Sequence, residues 1–375
     1  MFHILRQLDK NHKSSEKVRR DIRSYLPPCE DSCFASTGRS LVSLLIRRLG
    51  LTAEDTCLIP AYVPEGLIRP LRESGIQVQF YTVDDKLFAN LDDLNRQIEN
   101  DPSIRLLVLI HPFGFEQPVR PIKELLSERN IAILEDCAQS LFGTSIEGPP
   151  LGMGGDFSLF SLNKFLPVPD GAILQSNNPN MLITADDFVE GQTEQQASIL
   201  AYEDHLHLNH ELLQARTPDT AQGFLEKTGH AYERYYTFVN RDLRLFLPSL
   251  TTKKRLKQID FNTFIAKRIS NTRLLYAELK QTTFKFVYEN WTENYIPMTV
   301  PVYVAPEHRD EIIAKLFSQN ILLSTLIDKW NYIPPDREEI FQAEARFINS
   351  HLLLPINEFL SPSHMETIIN ALNKV

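Results

Sequence analysis

The sequence predicts an α/β protein with a mostly parallel central sheet. Between Thr37 and Gln175, short apolar runs alternate with helix-like stretches of about ten residues, the pattern of βαβ units. Several of the runs stop abruptly at a turn or a carboxylate: Pro60, His111 and Glu135-Asp136. The chain has 375 residues, 43% of them hydrophobic and 23% charged, enough to bury a large core and to support a second, smaller domain.

Taken in order, residues 1–35 carry mixed charge and end near Pro27-Pro28, which suggests a helical arm. Leu41, Leu44, Leu45 and Leu49 recur at helical spacing, and Gly50 closes that helix. A strand over 56–59 follows, then helix 65–74, strand 78–83, helix 91–99, strand 106–110, helix 121–128 and strand 131–134. Strands over 157–160 and 171–175 bracket Lys164. Residues 180–240 change character, becoming polar, acidic and helix-prone. Beyond them come an amphipathic helix over 264–279, a strand over 298–304, a helix over 309–319, a strand over 321–324 and a last helix over 362–372. The expected division is a large domain over 1–250, with the divergent helical stretch inside it, and a small α+β domain over 251–375.

Composition narrows the function. A formal charge of -9 disfavours a nucleic-acid partner. No stretch reaches the roughly 20 apolar residues of a membrane span, and Met1–Lys13 lacks an apolar signal segment, so no membrane partner and a cytoplasmic location are expected. Cys29, Cys33, Cys57 and Cys137 form no CxxC pair and read as reduced thiols. His205 and His207 fall on opposite sides of a helix with no i, i+4 partner, so no metal is expected.

Ligands of parallel sheets bind beyond the carboxyl ends of the strands. The strand ending in Glu135-Asp136 delivers a carboxylate to that rim, although an aspartate there could equally cap a helix. Downstream, Lys164 closes Gly155-Asp-Phe-Ser-Leu-Phe-Ser-Leu-Asn-Lys164 in apolar surroundings. A lysine so placed either reaches out of a loop or is desolvated into a nucleophile with a lowered pKa. Ser36-Thr37-Gly38-Arg39-Ser40 opens the first long helix, whose free N–H groups suit a phosphate.

Together these segments resemble the DegT/DnrJ/EryC1/StrS family of pyridoxal-phosphate sugar aminotransferases. The resemblance covers most of residues 33–175 and implies the fold-type I transferase architecture. It implies that Glu135-Asp136-Cys137-Ala138-Gln139 supplies Asp136 to the cofactor's pyridine nitrogen and Gln139 to its phenolic oxygen. Lys164 stands where the family's lysine bonds the cofactor aldehyde. By the same resemblance Thr37, Gly38, Arg39 and Ser40 form the phosphate turn, with Arg39 where the family usually has threonine. The phosphate-binding serine is Ser158 or Ser161. Pro60-Ala61-Tyr62 is similar to a family turn whose aromatic stacks on the cofactor, although that aromatic often falls at the position of Pro64. His111-Pro-Phe-Gly114 matches a His-x-x-Gly loop and makes His111 a substrate neighbour. Residues 180–240 do not match the family's substrate-binding region. The resemblance implies amination of a nucleotide-linked keto sugar, glutamate or glutamine as donor, and a homodimer. A dehydratase or lyase on the same scaffold, or a non-catalytic homologue that binds cofactor or sugar, are the alternatives. Retention of Lys164 favours transfer over the first of these.

Overall fold

The computed structural model describes residues 21–185, 187–189, 193–213, 218–325 and 331–375. The first half alternates as expected: β1 (Asp31–Ala35), α1 (Gly38–Leu49), β2 (Thr56–Pro60), α2 (Glu65–Glu73), β3 (Gln77–Tyr81), α3 (Leu91–Asn100), β4 (Ile104–Ile110), α4 (Val119–Leu125), β5 (Ala132–Asp136), β6 (Phe157–Ser161) and β7 (Ala172–Ser176). These strands make one sheet in the order β1-β7-β6-β5-β4-β2-β3. Strands β3, β2, β4, β5 and β6 run parallel, whereas β7 is antiparallel to both of its neighbours, β6 and β1.

Local sequence explains these elements. β4 lies inside the sheet and is an almost unbroken apolar run, Ile-Arg-Leu-Leu-Val-Leu-Ile, as a strand covered on both faces must be. Thr37 caps α1 by accepting the Ser40 N–H, and Gly50, at φ 63°, ends it in the left-handed conformation. One apolar layer packs α1 and α2 on one face of the sheet, and another packs α3 and α4 on the opposite face.

Two long helices follow, α5 (Thr193–Leu213) and α6 (Pro218–Arg241). They pack antiparallel, since Tyr202 meets Tyr235 while His205 meets Thr228 and Tyr232. Then come α7 (Leu250–Leu256), α8 (Phe261–Glu278), β8 (Lys285–Phe286), β9 (Val300–Tyr303), α9 (Arg309–Phe317), α10 (Gln342–Ser350), β10 (His351–Leu354) and α11 (Pro362–Leu372). Strands β10, β9 and β8 form an antiparallel sheet, and its apolar residues join those of α8, α9 and α11 in a separate core.

Three sequence expectations change. Residues 31–35 of the expected helical arm form edge strand β1, paired with β7 and burying Cys33 and Ala35; residues 1–20 of that arm lie outside the described residues. The expected strand over 321–324 makes only a bridge from Ser324 to Leu353. Strand β10, which the sequence reading omitted, takes the ladder position beside β9.

Candidate active site

Asp136 is the last residue of β5, and its side chain turns into a cavity of about 360 Å³ at the carboxyl end of the parallel strands. Its Oδ1 accepts the Ala138 N–H at 2.8 Å. Burial pushes the carboxyl above the ordinary range, opposed by the Lys164 amine and by that N–H. The next residue, Gln139, also faces the cavity, and its Oε1 accepts the Phe113 N–H at 2.8 Å. That bond fixes the amide so that Nε2 is its donating side.

Lys164 ends a short 3₁₀ turn, Leu162–Lys164, between β6 and β7. Its exposed surface opens into the cavity while protein encloses it, and this desolvation lowers the amine's pKa. Asp136 opposes the shift and Arg39 adds to it. The cavity therefore holds a lysine poised to lose its proton beside a carboxylate that resists ionisation.

At the opposite end, Thr37, Gly38 and Arg39 line the cavity at the N-terminus of α1. Ser40 is the residue whose N–H Thr37 caps, and its hydroxyl donates back to the Thr37 carbonyl, so it lies buried behind the wall. The Arg39 guanidinium lies 4.9 Å from the Tyr236 ring centroid, and a Cβ on Gly66 would sit 3.3 Å from its Cζ. Its Nε is buried without a hydrogen-bond partner among the described residues. A helix N-terminus and a guanidinium facing one space suit an anion.

Not every expected residue reaches this space. Ser161 lines it and donates to Asn163 Oδ1 at 3.0 Å, whereas Ser158, on the other side of β6 chemistry, is fully enclosed beside Gly152. Tyr62 is buried away from the cavity with its hydroxyl donating to the Leu87 carbonyl at 3.2 Å; Pro64 lines the wall instead. His111 lies under the rim rather than on it. Its Nδ1 accepts the Gln117 N–H, so its proton is on Nε2, 2.7 Å from Glu135 Oε2. His205 is likewise committed, to Thr228 across the helical pair and to Asn209 one turn along its own helix.

Tyr202, Tyr232, Tyr235 and Tyr236, from α5 and α6, were not anticipated and close the cavity. Two of them hold the residue before the lysine: Asn163 Nδ2 donates to Tyr235 Oη at 2.9 Å, and the Tyr202 hydroxyl donates to the Asn163 carbonyl at 3.0 Å. The spacing of 232, 235 and 236 on one helix face was the available signal, but an aromatic stripe at i, i+3, i+4 equally marks core.

A lysine and an aspartate facing one another at the strand ends of this sheet, with the reversed strand β7 beside them, define the fold-type I transferase class. The family model described as the DegT/DnrJ/EryC1/StrS aminotransferase family matches residues 13–196, just under half of the chain. The aminotransferases of that family depend on pyridoxal phosphate. The chain is 25% identical over 146 residues to a GDP-perosamine synthase of Vibrio cholerae, covering 38% of this chain and 39% of that one. It is 23% identical over 252 residues to an L-glutamine:2-deoxy-scyllo-inosose aminotransferase of Streptomyces kanamyceticus, covering 67% and 53%. The chain thus spans about two fifths to one half of the length of these curated relatives. Among solved structures, the sugar aminotransferase CalS13 from Micromonospora echinospora superposes with a TM-score of 0.65 at 15% identity over 92% of this chain and 87% of that one. DesV of S. venezuelae does so with a TM-score of 0.65 at 16% identity over 99% and 92%. At such identities the likeness establishes the shared fold.

Proposed function

We propose that this protein is an aminotransferase acting on a keto sugar, with the sugar linked to a nucleotide and glutamate or glutamine as amino donor. The observation that carries the reading is the pairing of Lys164 and Asp136 across one cavity, each perturbing the other's ionisation. The residues fit the cofactor. Arg39, with its unpartnered Nε, and the first N–H groups of α1 would hold the phosphate with Thr37 and Ser161. Asp136 would meet the ring nitrogen, Gln139 the phenolic oxygen, and Lys164 the aldehyde. When bound, the cofactor supplies an electron sink for the bond broken at the substrate carbon bearing the amine. Asp136 would keep the ring nitrogen protonated, because a carboxylate that is costly to bury is stabilised by a cation beside it. The amine of Lys164, whose pKa desolvation lowers, would take a proton from that carbon and return it. The tyrosines of α5 and α6 exclude water from these groups.

By family likeness a homodimer located in the cytoplasm accompanies this reading. Its test is direct. Protein incubated with pyridoxal phosphate and reduced with borohydride should carry the adduct on Lys164 by peptide mass spectrometry. In a separate, unreduced sample the visible absorption of the bound cofactor should disappear on adding L-glutamate or L-glutamine and return with a nucleotide-linked keto sugar. Absence of the Lys164 adduct would overturn the reading; an adduct that no amino donor discharges would overturn transfer.

A further inference from the structure

The helical pair α5–α6 touches the candidate site where the lysine is carried. Within the turn Leu162–Lys164, the Leu162 carbonyl accepts both the Phe165 and the Leu166 N–H, and the turn is pinned to β7 by the Leu162 N–H donating to the Gly171 carbonyl. Asn163 is held from the other side. Its carbonyl accepts the Tyr202 hydroxyl, its Nδ2 donates to Tyr235 Oη, and its Oδ1 accepts the Ser161 hydroxyl. Tyr202 and Tyr235 are themselves buried and in contact, with ring centroids 4.8 Å apart. The pair is anchored beside the same turn, because Arg255 makes two 2.7 Å bonds to Glu203 of α5 and a third to the Pro167 carbonyl.

We propose that Tyr202 and Tyr235 are positioning residues, acting through Asn163 to aim the Lys164 amine into the cavity and keep it out of bulk water. The inference rests on the reading of Lys164 as the reactive amine, and it assigns the divergent helical stretch a role in the chemistry of the floor. Two hydroxyls on two helices gripping one residue at its backbone and its side chain leave the neighbouring lysine a narrow range of orientations. Loosening the grip lets water reach the amine, so its pKa rises toward the ordinary lysine value. The charged and titratable groups around Lys164 are Asp136 from β5, Arg39 from α1, and Tyr202, Tyr232, Tyr235 and Tyr236 from the helical pair. None is removed by the Asn163 substitution used below.

The experiment measures the pH midpoint of Lys164 reactivity in the full chain freed of cofactor, by reductive methylation read out by peptide mass spectrometry. The variants are Tyr235→Phe, Tyr202→Phe, Asn163→Ala and the double Tyr235→Phe/Asn163→Ala. Each single change should raise the midpoint by about half a pH unit or more. The double should match the larger single rather than their sum, because both changes remove the same Asn163–Tyr235 hydrogen bond. Thermal unfolding checks that each variant is folded, and Asn163→Ala and Tyr202→Phe carry the test if Tyr235→Phe is not. Unmoved midpoints in folded variants, or full additivity in the double, would overturn the positioning role. A wild-type chain that never couples pyridoxal phosphate to Lys164 would instead overturn the reading on which it rests.

Discussion

The floor and the roof of the cavity are held in different ways. On the floor, Asp136, Gln139 and Thr37 each bond a backbone N–H next to a strand or helix end, so their placement follows from the sheet itself. A buried ion pair backs this floor: Arg268 bonds Glu358 at 3.0 Å, donates to the Pro297 and Met298 carbonyls, and lies over the Phe165 ring beside Lys164. The roof hangs from α5 and α6 through tyrosine contacts and the partly exposed Arg255–Glu203 pair. A floor built into backbone geometry can keep one chemistry while a roof built from side-chain contacts is exchanged. Residues beyond 196, where the family match ends, are where such an exchange would show.

Substitutions can break this contrast, beginning with the floor. Lys164→Ala should abolish the borohydride-stable adduct and reduce turnover by at least about 10³-fold. Asp136→Asn should retain the adduct yet slow single-turnover amine transfer roughly 10²–10⁴-fold, which would separate covalent capture from ring protonation. Arg268→Ala leaves the Glu358 carboxylate buried and should cost about 3–5 kcal/mol in denaturant unfolding. On the roof side, Arg255→Ala breaks a pair nearer to water and should cost about 1 kcal/mol or less. If Arg255→Ala proves as costly as Arg268→Ala, the roof is no less integral than the floor.

The smallest effect concerns pH. Glu344 on α10 is buried, accepts the Val83 N–H at 2.8 Å, and burial pushes its carboxyl up to about 7. A carboxyl raised in the folded state contributes stability that is fully present below its unfolded pKa and is lost as pH rises through the folded value. Between about pH 4.5 and 7 the wild type should therefore lose on the order of 1 kcal/mol that Glu344→Gln keeps, read from paired melting curves.

How much of this was legible in the sequence follows the same contrast. Asp136, Gln139, Lys164 and the α1 turn sit at element ends, where a strand or helix must stop and where local pattern announces the stop. Tyr62 and His111 occupy equally plausible rim positions, but their side chains bond Leu87 and Glu135 beneath the rim, and only the three-dimensional path decides that. Strand alternation sends Ser158 and Ser161, three residues apart, to opposite faces of β6, and the sequence does not say which face meets the cavity. Ser161 stands at the turn before Leu162 and reaches the cavity. The tyrosines were out of reach because their partner, Asn163, is 39 residues from Tyr202 and 72 from Tyr235. Strand β1 was missed for a like reason, since its ladder partner among the described residues is the distant β7.

That distant partner bears on how the protein is made. β1 is an edge strand that leads directly into Thr37, and the Gly171 N–H donates to the Ser36 carbonyl just past its end. During synthesis the N-terminal segments leave the ribosome first. The turn that opens α1 must therefore wait, without its sheet neighbour, until everything through β7 has emerged. The earliest part of the pocket to be translated is among the last to be seated, and a nascent chain cut short before Ala172 cannot present a finished cofactor cradle.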